Sequence, residues 1–94
     1  MSAPALALPS AVLASGAYAA VLASLEDGVL APADAALFRA AADARLFGED
    51  DMEQRMQEVY AALYRLTADE DADVAALRRL RNQLFSIPRG ASYG

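Results

Sequence analysis

Cysteine, histidine, lysine and tryptophan are all missing from this chain. Without cysteine there are no disulfides, no thiolate metal sites and no thiolate nucleophile. Without histidine no side chain titrates unperturbed near neutrality. Without lysine there is no Schiff base and no P-loop cation. A Ser-His-Asp triad, a Cys-His pair and a zinc site built on His or Cys are excluded together. Carboxylates, Tyr, Ser, Arg or an oxygen-ligand metal are the only chemistry left. We therefore expect no catalytic residues, no metal and no cofactor, so the chain is not expected to be an enzyme.

Positive charge is also scarce. Eight arginines face 13 acidic residues, for a formal charge of −5 and an isoelectric point near 4.4. Nucleic-acid binding rests on a basic face meeting phosphate, and anionic membranes select for the same feature. The only basic cluster is Arg78, Arg79 and Arg81, which reads as an offset to the dipole at a helix end. Neither nucleic acid nor a membrane is an expected partner.

Large apolar side chains are fewer than the hydrophobic content of 56% suggests, because alanine supplies close to half of it. Ninety-four residues with such a modest apolar set make one small domain, with no room for a wide substrate cleft. Alanine is the strongest helix former, and no strand-like alternation occurs.

No charged side chain precedes Glu26. A membrane span over residues 6–25 would have to carry Pro9, Ser10, Ser15, Gly16 and Ser24, with alanine adding little hydrophobicity. A secretory leader would find an A-x-A site in Ala17-Tyr18-Ala19, but its n-region has no Lys or Arg. A cytoplasmic, largely buried helix fits best, since a helix apolar all round belongs inside a core or under a partner.

Four helices follow from caps and periodicity. The first covers residues 10–27, with Ser10 as N-cap and Gly28 at its stop. Pro32 and Asp34 open a second over residues 32–47, with Gly48 as terminator. Leu37, Ala41 and Ala44 share its face, with Phe38 beside them. Asp50 and Glu53 resemble a capping box before a third helix, residues 51–66. In it Met52, Met56, Val59, Leu63 and Leu66 keep a heptad rhythm. Thr67 and Glu70 form a second capping box, placing the start of the fourth helix near Ala68. Leu77, Leu80, Leu84 and Ile87 line that helix until Pro88 ends it.

The fold expected is all-α, a small bundle of three or four helices arranged as two consecutive hairpins. Dimerisation through helices 3 and 4 is a second way to cover the stripes. Residues 1–9 read as an extended arm, 10–87 as the helical domain and 88–94 as a flexible tail.

Two motifs fail on inspection. Asp69, Asp71 and Asp73 open a calcium loop, but Val74 and Leu80 replace its required Gly and Glu. Helix-start duty explains them better, and the same holds for Glu49, Asp50, Asp51 and Glu53. The W-x-G turn of small secreted helical hairpins is not present either. Gly48 follows Leu46-Phe47 with no Trp, and the export pattern Tyr-x-x-x-Asp/Glu is absent, since Tyr64 follows Tyr60 and Ala68 follows Tyr64.

What remains is apolar helix surface. Met re-packs easily, and Tyr suits interfaces because it joins an apolar ring to a polar tip. Tyr60 and Tyr64 stand one turn apart, for which half-buried packing is the plainer explanation. The expected role is a small protein–protein interaction module, such as an adaptor, inhibitor, chaperone or accessory subunit. It would bind a larger protein, or a second copy as a homodimer. Met52, Met56, Tyr60, Leu77, Leu84 and Phe85 are the candidate anchors, with Arg78 and Arg81 at the polar rim. The alternatives are an exported chain cleaved after Ala19 and, further off, a carboxylate-dependent enzyme.

Overall fold

A computed structural model describes residues 10–90, with side chains from Gly16 onward. The expected arm, the Ser10 side chain and the last four residues lie outside what is described. Four helices follow one another: α1 (Ser10–Glu26), α2 (Pro32–Phe47), α3 (Met52–Thr67) and α4 (Val74–Phe85). Among the described residues there is no strand. The all-α bundle expected from alanine content and periodicity is the fold.

The ends of α2 follow their sequence signals. Pro32 occupies the first turn, and Gly48 adopts the left-handed conformation at φ 63°. The Gly48 N–H donates to the Arg45 carbonyl at 3.3 Å and the Glu49 N–H to the Ala44 carbonyl at 2.9 Å. These paired bonds are the Schellman arrangement, which needs a residue comfortable at positive φ.

Two expected caps are corrected. Asp50 and Glu53 do not form a capping box: Asp51 holds the N-cap position of α3, and its side chain caps nothing. That carboxylate instead accepts from Arg55 Nε at 3.0 Å, a charged partner one turn along. Helix 4 does not begin at Ala68. Thr67 stays in α3 and its hydroxyl donates back to the Leu63 carbonyl at 2.8 Å, so it is not free to cap. The Asp69 carboxylate accepts the Asp71 N–H at 2.9 Å, a local turn that competes with helix. Asp73 then caps α4 by accepting the Ala76 N–H at 3.1 Å.

Each helix packs mainly against two neighbours. The closest pairings are α2 with α3 and α1 with α4, followed by α1 with α2, and α3 with α4 is the slightest of these four. Both stripes therefore turn inward rather than toward each other. From α3, Met56, Val59 and Ala62 are buried, with Met52, Leu63 and Leu66 packed at the edge of the core. From α4, Leu77, Leu80 and Leu84 are buried, and Ile87 follows them in. Phe38 of α2 is fully enclosed among them, worth about 1.5–3 kcal/mol for its ring alone. Ala41, Ala42 and Ala44 are also buried, and their small side chains let α2 approach its neighbours closely.

α1 is not buried all round, as its composition led us to expect. Val21 is fully enclosed and Ala17, Tyr18 and Leu25 pack against the core. Gly16, Ala19, Ala23 and Glu26 face outward. Ala and Gly carry so little apolar area that exposing them costs little, so an uncharged helix can still have a wet side. The Ala17-Tyr18-Ala19 segment is helical, and its Ala17 and Tyr18 are part of this packing.

Four polar links tie the helices. The Tyr18 hydroxyl donates to Asp43 Oδ1 at 2.6 Å, joining α1 to α2. Ser24 Oγ donates to Gln83 Oε1 at 3.0 Å, joining α1 to α4. Arg65 of α3 pairs with the buried Asp34 of α2. Arg45 of α2 donates from Nε to the Ile87 carbonyl at 2.9 Å and from Nη2 to the Phe85 carbonyl at 3.3 Å. Its own carbonyl accepts the Gly90 N–H at 2.8 Å, so the chain is tied to α2 through Gly90.

Candidate functional site

Because α3 packs on α2 and α4 on α1, a groove of about 580 Å³ opens between α3 and α4. Tyr60, Leu63, Tyr64 and Thr67 line its α3 wall. Val74, Leu77, Arg78, Arg81 and Phe85 line the α4 wall. The two helices run antiparallel. Thr67 and Val74 lie toward the connecting loop, and Tyr60 and Phe85 at the far end. Tyr64 is 82% exposed, Tyr60 43% and Phe85 40%, which concentrates aromatic surface along this one groove.

The far end is held in shape. The Tyr60 and Phe85 rings stack with centroids 5.8 Å apart and planes 29° from parallel. The Arg45 guanidinium sits over the Phe85 ring, 5.5 Å from its centroid. Both arrangements are attractive, through ring quadrupoles and cation–π contact. Burial pushes the Arg45 pKa below its ordinary value, and the nearby Tyr60 hydroxyl opposes that shift. The guanidinium nonetheless keeps its charge. Its bonds to the Ile87 and Phe85 carbonyls serve the end of α4, where unpaired carbonyls accumulate. Phe85 is thus an exposed ring with little freedom to collapse onto its neighbours.

The rim is electrostatically one-sided. Arg78 and Arg81 stand one turn apart on α4, both exposed, and the groove is lined by no carboxylate. Neither arginine takes part in an ion pair among the described residues; Arg81 reaches only the neighbouring Asn82 side chain, at 3.3 Å.

Of the candidate anchors and rim residues, five meet here: Tyr60, Leu77, Arg78, Arg81 and Phe85. Three do not. Met56 and Leu84 are interior, and Met52 is packed against the core, so none of them reaches the groove. Their heptad spacing put them on the face that α2 and α1 cover, and periodicity alone does not say which stripe is inside. Leu63, Tyr64, Thr67 and Val74 belong to the groove but not to the anchor set. Tyr64 was within reach of sequence reasoning, since it lies one turn from Tyr60 on the same side of α3. Val74 was not, because a helix begun at Ala68 gives it another place.

Two further clefts differ in character. One of about 420 Å³ between α1 and α2 is lined by small and aliphatic residues with Glu26 and Arg39. Another of about 270 Å³ lies beside the α3–α4 loop and presents Asp69, Asp71 and Asp73. These carboxylates serve the local turn and the α4 cap. Among the described residues no group of three or more acidic side chains converges to hold a metal ion. Nor is any described helix long and apolar enough to cross a membrane. No family model, curated protein or solved structure matches the chain.

Proposed function

We propose that this protein is a non-catalytic interaction module that docks a partner protein in the α3–α4 groove. The single observation carrying this reading is the aromatic groove itself. Tyr60, Tyr64 and Phe85 all expose ring surface along it, with Tyr60 and Phe85 held as a stacked pair and Leu77 as floor. Tyr is favoured at interfaces, where a large ring is buried at low entropic cost and its hydroxyl stays in reach of water. None of these rings belongs to the core, to which α3 and α4 contribute Met56, Val59, Ala62, Leu77, Leu80 and Leu84. The missing reactive residue types support the same reading.

Photo-crosslinking in the producing cell tests it. A photoreactive amino acid at the exposed Thr67, in the groove, is expected to give a discrete protein adduct. The same amino acid at the exposed Gln54, outside the groove, is expected to give none. Adducts from both positions alike, or from neither, would overturn the proposal.

A further inference from the structure

Resting on that reading, we infer that the groove's occupant is an acidic amphipathic helix of about three turns, with carboxylates aimed at Arg78 and Arg81. Three observations lead to this chemistry.

The first is charge. The whole chain carries −5, yet the only charged residues lining this groove are two arginines. The other two clefts contain Glu26 beside Arg39, or three aspartates. The positive rim is therefore a local property of the one groove that exposes aromatic rings. Arginines without an internal carboxylate are free to meet one from outside, where the planar fork suits a carboxylate in two-point contact.

The second is shape. Val74 to Phe85 rises about 17 Å at 1.5 Å per residue, which matches a docked helix of about twelve residues. Apolar positions spaced i, i+4 and i+7 on that helix would lie along Tyr64, Leu77 and the Tyr60–Phe85 pair. The described residues present no strand whose edge could extend a sheet, so recognition must run through side chains, as in helix-in-groove docking.

The third argues against a second copy of this chain. A twofold pairing of two such grooves would bring Arg78 and Arg81 of both copies to one interface, with no carboxylate lining either groove. Like charges brought together there oppose association.

The test uses the absence of Trp from the protein. A helical peptide of about twelve residues carries one Trp and two Leu on its apolar face, and two Glu on one flank. Its twin has Lys in place of each Glu. Peptide Trp emission reports burial without interference from the protein. The acidic peptide is expected to bind about tenfold more tightly than the basic one at low salt. The preference is expected to fade as salt rises and to reverse in the double variant R78E/R81E. Both arginines are exposed and unpaired, and an unchanged thermal melt checks that the variant remains folded.

Equal affinity for the two peptides, or no reversal in the variant, would overturn the inference about charge while leaving a docking groove in place. Failure of both peptides to bind would overturn the groove reading as well. Sedimentation of the protein alone as a dimer that Tyr64→Arg dissociates would assign the groove to a second copy. Equally tight binding of single-stranded oligothymidylate would assign it to nucleic acid. Either result would end the proposal.

Discussion

At the scale of single residues, two side chains link helices that backbone geometry alone would leave free. Tyr18 donates to Asp43 across the α1–α2 seam. This bond and partial burial both favour the neutral phenol, so its pKa is raised above the ordinary 10.0, with Arg39 pulling weakly the other way. The folded state thus holds this proton more tightly than the unfolded chain does. The contribution is complete below pH 10 and is lost as pH rises through the higher folded value. Tyr18→Phe is expected to cost about 1 kcal/mol at neutral pH in urea denaturation. The gap between variant and parent should narrow in alkaline buffer. Arg45 performs a different task, since it serves the end of α4 and covers Phe85. Arg45→Gln should lower stability by about 1–2 kcal/mol. It should also speed hydrogen exchange at the Gly90 amide. Arg45→Lys should recover little, because an ammonium lacks the fork that reaches two carbonyls at once.

At the scale of helices, much was legible because caps and breakers are local chemistry. Pro32 and Gly48 mark α2 without any help from tertiary structure. The start of α4 was misread because Thr67 and Asp73 are both good capping residues, and sequence alone does not rank them. What decides is that Thr67 still has a helical carbonyl to bond, while Asp69 takes up the Asp71 N–H and turns the chain away. A pair of substitutions separates the two sites by thermal denaturation. Asp73→Ala should cost about 1 kcal/mol, the usual value of a lost N-cap. Thr67→Ala should change stability by less than about 0.5 kcal/mol, as expected for an exposed side chain away from a cap.

For the molecule as a whole, the arrangement of neighbours determines which surfaces are left over. With α3 laid on α2 and α4 on α1, one stripe of each is consumed as core, and the ring-bearing side of both turns to the groove. Two substitutions should therefore behave in opposite ways. Leu84→Ala, in the interior, should cost about 2–5 kcal/mol in urea denaturation. It should affect partner capture only through unfolding. Tyr64→Ala should leave stability within about 0.5 kcal/mol. It should nonetheless abolish crosslinking from a photoreactive residue placed at Thr67, which lines the same groove.

The amino-acid sequence by itself determined that the chain is helical, where its apolar stripes run and which chemistry this protein lacks, because propensity, periodicity and side-chain inventory act within a few residues of one another. Of the eight residues it offered as partner contacts, Tyr60, Leu77, Arg78, Arg81 and Phe85 line the groove and Met52, Met56 and Leu84 do not. Only tertiary structure decided that Met56 and Leu84 are interior, that α1 has a wet side, and that Tyr64 and Val74 share a groove with those five. Each of these depends on which helix lies against which, a choice made by packing between residues far apart in the chain. A local pattern shows that a face is apolar; it does not say what will cover it.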